Sequence, residues 1–173
     1  MSNLRRQLEQ SLRGRICFMG LGSSDYGDDG FGVRLAEKLI DVGIPDVIVA
    51  GTTPDRWITR LSSFDHVVFL DAVEFGGSAG DVVFLDSAAM AARFPQISTH
   101  KIALELLSQW IEANGKTKAW LLGVQPQSLT SATLSSGVQT TLDALCELIR
   151  TTAHLGTGAF EYPEQPLAAG VNP

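Results

Sequence analysis

The stretch ICFMGLGSSDYGDDGFGVRLAEKLI, residues 16–40, sets the architecture. Ile16–Leu21 is a compact, nearly all-apolar run that ends in Gly20 and Gly22, the pattern of a buried strand. Beyond a glycine-rich loop, Phe31, Leu35 and Leu39 fall at i, i+4 and i+8. That spacing predicts a helix over residues 30–42, stopped by Gly43 and Pro45. Strand, glycine-rich loop and helix in that order open an α/β fold.

The rest of the chain repeats the alternation. Val47–Ala50 predicts a short second strand, and Pro54 opens a helix carrying Trp57, Ile58, Leu61 and Phe64. His66–Leu70 predicts a third strand, closed by Asp71. The glycine-rich EFGGSAGD, residues 74–81, leads into a strand over Asp81–Leu85, expected to pair antiparallel with its predecessor. Residues 100–113 predict a helix with rows Ile102, Leu106, Trp110 and Ala103, Leu107, Ile111. Ala119–Val124 is a further buried strand, and Val138, Leu142, Leu145 and Ile149 mark a last long helix. At the front, Leu4, Leu8 and Leu12 share one stripe of a short helix over residues 4–13. From Gly156 the chain has Gly, Pro and Ala without a period, which predicts a mobile tail. The expected division is an N-terminal helical extension over 1–14, one domain over 15–155 and the tail over 156–173. Alternating strands and helices imply a mostly parallel sheet with helices on both faces and one antiparallel strand.

The 173 residues suit one domain, with no internal repeat and no second unit. Hydrophobic residues are 45% and charged residues 18%, which excludes a disordered chain. The net charge of −6 disfavours nucleic acid and anionic membranes as partners. No apolar run approaches the roughly 18 residues of a membrane span. Cys17 and Cys146 fit neither a CxxC motif nor a disulfide framework, and no signal-peptide core precedes them. Buried thiols in a reducing cytoplasm are the expectation.

Ligand sites in such sheets lie beyond the carboxyl ends of the strands. Three segments fall there: the loop GLGSSDYGDDGFG, Asp71, and the triplet Ser98–His100. Gly20-x-Gly22 after a strand invites a dinucleotide reading, but the second strand lacks the required acid, and Asp25, Asp28 and Asp29 would repel a pyrophosphate. One of the adjacent pair can cap the following helix. Asp28 is read as that cap, which leaves Asp29 for chemistry. Asp71 reads equally as a turn residue or as a functional acid, and His100 alone as a helix-start histidine. Together, two carboxylates and one imidazole on one rim make an O,O,N site suited to Ni²⁺ or Zn²⁺, with coordination positions open for substrate. No GxSxG elbow is present and Cys17 lies inside a strand, which argues against a Ser or Cys protease.

Four stretches in order carry a resemblance: GLGSSDYGDDGFGVRLAEKL, VVFLDAVEFGG, STHKIAL, and LLGVQP with a later long helix. Over about residues 15–150 the chain resembles the maturation endopeptidases of nickel–iron hydrogenases. The resemblance implies a three-layer α/β/α sandwich. It implies an enzyme that removes a C-terminal extension from the hydrogenase large-subunit precursor after nickel insertion. Nickel would be supplied by the substrate, with another divalent metal as an alternative. The resemblance places Asp29, Asp71 and His100 as the metal-contacting residues, with Asp29 and Asp71 also the candidate catalytic acids. Two routes stay open: metal-assisted hydrolysis, or an acid–base pair as in aspartic proteases. One departure is Ser23, where the family usually has Asn; serine can still hydrogen-bond the loop. The rival of another class is a non-catalytic nickel chaperone or assembly factor, although with three histidines the chain lacks the His-rich tract such carriers use.

Overall fold

The structure, a computed structural model, describes residues 2–93, 104–113 and 115–156. His100, the first turn of the helix expected from residue 100 and the tail from 157 lie outside the described residues.

Strands β1 (Ile16–Leu21), β2 (Val47–Gly51), β3 (His66–Ala72), β4 (Val82–Asp86) and β5 (Lys118–Val124) form one sheet in the order β2-β1-β3-β5-β4. The first four in that order run parallel, and β4 is antiparallel to β5. The expected pairing of β4 with β3 is therefore corrected: β5 inserts between them. Burial explains the placement. β5 is covered along most of its length, as a central strand must be, whereas β4 is largely half-exposed and suits an edge.

Side chains alternate across the sheet and feed two cores. Phe18, Val68, Leu70 and Leu122 face helices α1 (Ser2–Ser11), α2 (Phe31–Asp41) and α6 (Ser136–Gly156). Cys17, Met19, Val67, Phe69 and Leu121 face α3 (Ile58–Leu61), α4 (Ser87–Arg93) and α5 (Leu104–Ala113). The three layers are thus an α/β/α sandwich. Within α1, Leu8 is buried against the first core and Leu4 and Leu12 pack beside it.

Helical detail departs from the sequence pattern in three places. The helix expected from Pro54 through Phe64 is a 3-10 turn (Pro54–Trp57) followed by the single turn α3. Ser62 and Ser63 stop it by donating their hydroxyls back to the carbonyls of Thr59 and Arg60. Helix α4 was not foreseen: Met90 is the buried side chain of an alanine-rich turn, started by Asp86 accepting the Ala89 N–H at 2.8 Å. In α5 the row Leu107 and Ile111 is buried, but Leu106 and Trp110 are 60% and 48% exposed. Among the described residues, no helix is long and apolar enough to cross a membrane.

Candidate active site

The turn after β1 is built around two tight approaches. Gly22 has φ +105°, and a Cβ there would lie 1.8 Å from the Asp29 carbonyl oxygen. Gly32, in the first turn of α2, would place a Cβ 1.9 Å from the Leu70 carbonyl oxygen and 2.5 Å from that of Leu21. Only glycine lets the backbone fold this closely. The helix start is thereby pressed onto the carboxyl ends of β1 and β3, and the 3-10 turn Gly27–Gly30 lies against β3. Asp29, three residues before Gly32, and Asp71, one after Leu70, reach the same rim.

Asp29 is 8% exposed, and its Oδ2 accepts the Ser23 N–H at 2.8 Å. Ser23 keeps the loop-bonding role expected of it: its Oγ accepts the Asp25 N–H at 3.4 Å. Asp71 is 3% exposed, and its Oδ1 accepts the Ala72 N–H at 2.9 Å. It does not close the strand, as the sequence suggested. β3 continues through it to Ala72, with Asp71 in register opposite Gly123 of β5. The ladder therefore fixes its backbone. Asp71 alternates with Val67 and Phe69 and so faces the α5 side of the sheet.

Asp28 is not a helix cap. The N-cap of α2 is Gly30, without a side-chain cap bond. Asp28 is fully buried and collects donors from the far end of the chain. Its Oδ2 accepts the N–H of Gln127 at 2.8 Å, the N–H of Ser128 at 3.2 Å and the Ser135 hydroxyl at 2.9 Å. Its Oδ1 accepts the Ser135 N–H at 2.7 Å. Burial by itself pushes this carboxyl up, but the donors of Ser135, Gln127 and Ser128 outweigh it and hold the group below the usual carboxylate range. Asp28 is a charged rivet, and Asp29 is the acid it leaves on the rim.

Sequence reasoning also passed over Gln125. Its Oε1 accepts the N–H groups of Phe75, Gly76 and Gly77 at 2.9, 3.0 and 3.1 Å. The motif LLGVQP marked the place without giving the residue a task.

The cysteines are not nucleophiles. Cys17 is buried in β1, where burial, and next the Asp46 charge, push its thiol up to about 12. Burial raises Cys146 as well. His66 begins β3 at the opposite end of the sheet, and its Nδ1 accepts the Trp120 indole N–H at 3.0 Å. It therefore belongs to no rim site. Among the described residues, no group of three or more His, Cys, Asp or Glu side chains is gathered to hold a metal ion. Asp29 and Asp71 are the rim groups able to supply carboxylate oxygens, and the third expected ligand, His100, lies outside the described residues.

The fold is an α/β/α sandwich with two buried acids, Asp29 and Asp71, at the carboxyl rim of its sheet. The sequence profile of the hydrogenase maturation proteases matches residues 33–152, and the chain belongs to that family. It is 32% identical over 111 residues to the hydrogenase 3 maturation protease of Escherichia coli K12, covering 61% of this chain and 69% of that protein. The crystal structure of the nickel–iron hydrogenase maturation protease HycI from Thermococcus kodakarensis superposes with a TM-score of 0.75 at 29% identity, covering 88% of this chain and 99% of that one. The hydrogenase maturating endopeptidase HybD of E. coli shares the fold, with a TM-score of 0.70 at 23% identity over 83% of this chain and 94% of that one.

Proposed function

We propose that this peptidase removes the C-terminal extension of a nickel–iron hydrogenase large-subunit precursor once nickel is in place. The observation that carries the reading is a maturation-protease fold in which the turn bearing the buried Asp29 packs against β3, whose carboxyl end bears the buried Asp71. The nickel is substrate: Asp29, Asp71 and His100 contact it and so bring the scissile bond to the acids. Hydrolysis then needs a water whose oxygen attacks the peptide carbonyl carbon. A rim carboxylate takes the proton of that water and returns it to the departing amine as the C–N bond breaks. Two buried acids with separate hydrogen-bond settings suit this exchange. The setting is the cytoplasm, where the buried thiols of Cys17 and Cys146 stay reduced.

The test is mass spectrometry of a nickel-loaded precursor from the same organism, incubated with the wild-type protein, Asp71→Asn and His100→Ala. A shortened precursor with the wild type alone supports the reading. Full cleavage by either variant removes that residue from the site. An unchanged mass with nickel passed to or held by the protein means a carrier.

A further inference from the structure

The four residues Gln125–Ser128 touch both the loop that follows β3 and the turn that bears Asp28 and Asp29. Gln125 follows β5 directly and is 8% exposed. Its backbone N–H donates to the Asp81 carbonyl at 2.8 Å, and its carbonyl accepts the Gly80 N–H at 2.9 Å. Its side chain turns to the chain that leaves Asp71. There the three successive N–H groups of Phe75, Gly76 and Gly77 converge on one oxygen, with Gly76 at φ +82°. Successive N–H groups arranged this way form a nest that needs an acceptor. Two residues on, Gln127 and Ser128 donate their N–H groups to Asp28, the neighbour of Asp29.

We propose that Gln125 is a positioning residue for the reaction: its carbonyl oxygen fills the nest at 75–77 and so ties the segment after Asp71 to the same strip that holds the Asp29 turn. The proposal rests on the function proposed above. The tether is short, since Phe75 is four residues from Asp71. The β3–β5 pairing holds the chain as far as Val73, whose N–H donates to the Val124 carbonyl at 2.9 Å, so freeing the nest releases residues 74–77 at the edge of the rim. The side-chain oxygen of Gln125 is occupied by the three amides of residues 75–77, so its loss is expected to act on the chemical step more than on binding. A displacement of about 1 Å at reacting groups is enough to cost of order a hundredfold in rate.

The experiment compares the full-length wild type, Gln125→Met and Gln125→Glu in three measurements: kcat and KM on the nickel-loaded precursor, thermal melting, and amide hydrogen exchange over residues 74–81. Gln125→Met fills the space without an acceptor, and Gln125→Glu restores one. The expected result for Gln125→Met is a cooperative melt and exchange at 75–77 faster by about tenfold or more, the factor set by one lost hydrogen bond. Its kcat should fall about 10- to 100-fold with KM within about threefold. Gln125→Glu should return kcat to within about threefold of wild type. Should Gln125→Met not fold, Gln125→Asn replaces it, because it draws the same carbonyl back by one methylene, with the same expectations. Unchanged kcat despite faster exchange reduces Gln125 to a structural residue, and a rise in KM alone makes it a substrate contact. Gln125→Glu as slow as Gln125→Met also overturns the proposal, as does unaltered exchange at 75–77. A wild-type protein that leaves the precursor intact overturns the proposed function and the catalytic half of this inference, while the exchange measurement still decides the clamp.

Discussion

The two ends of the sheet spend their polar groups differently. At the amino end, Asp65 is exposed and accepts the Arg15 N–H at 2.7 Å, while the Arg15 guanidinium lies 4.8 Å from the centre of the Phe64 ring. The buried groups there are neutral: the Thr117 hydroxyl donates to the Phe64 carbonyl at 2.7 Å, and the half-buried His66 takes the indole of Trp120. At the carboxyl end, Asp28, Asp29 and Asp71 are exposed by only 0, 8 and 3%. Taking a carboxylate out of water is costly unless donors replace the water. Asp28 is repaid by four donors and is structural. Asp29 accepts the Ser23 N–H and Asp71 the Ala72 N–H, donors from their own loop and strand, whereas Asp28 draws its donors from the far end of the chain.

The largest expected effect tests that distinction. Asp71→Asn should lower precursor cleavage by roughly 10²–10⁴-fold with its melting temperature near that of wild type, as for the loss of a general acid or base. Circular dichroism melting beside the cleavage assay checks it, and a variant that cleaves normally or fails to fold erases the contrast between the two ends. Next comes stability. Asp28→Asn turns an amide N–H₂ toward donors and should cost about 2–4 kcal/mol in urea denaturation. Asp65→Asn, at the exposed amino end, should cost under about 1 kcal/mol. Equal losses would mean that both ends are held alike.

A smaller effect is a pH dependence at the amino end. Burial lowers the His66 pKa against the opposing influence of Asp65 and the Arg13 carbonyl, and the neutral ring is the form that accepts the Trp120 N–H. Below the ordinary value of roughly 6.5 the unfolded chain binds a proton that the folded chain resists. His66 therefore contributes stability that is present above that pH and declines as pH falls through it. Replacing His66 by Gln should flatten the fall between pH 7 and 5, measured by urea denaturation at each pH, and an unchanged slope would assign it elsewhere. The smallest effect belongs to the exposed pair of Lys38 and Asp143, which joins α2 to α6. Lys38→Met should change stability by no more than about 0.5 kcal/mol, and the difference should vanish in 0.5 M salt, well beyond about 0.15 M where screening is already strong.

What was legible in the sequence is what depends on near neighbours. The apolar run Ile16–Leu21 and the Phe31, Leu35, Leu39 row gave β1 and α2, and the apolar strand ending at an acid gave Asp71 its place on the rim. The register of Asp71 inside the ladder was not legible, because an acid after an apolar run looks like a stop. The β3–β5–β4 order failed for a related reason: a short glycine-rich connection favours a hairpin, and nothing local announces a strand arriving more than thirty residues later. Asp28 was mistaken for a cap because its partners lie 99, 100 and 107 positions away. Gln125 escaped because its partners are backbone amides, which carry no side-chain signature. The place of His100 rests on the sequence alone.

The rivet at Asp28 also sets when the protein can work. Both rim acids are made early, by residue 71, but the groups that anchor their turn arrive only with Gln127, Ser128 and Ser135. A ribosome adding about 5–20 residues per second takes several seconds to cover that gap, and until then the buried charge of Asp28 has no donors to hold it. The nascent chain therefore carries its chemistry unassembled. Ordering of the acid turn becomes a late, long-range event: a chain cut before Gln127 keeps Asp29 and Asp71 but lacks the donors that hold Asp28 in the turn beside Asp29.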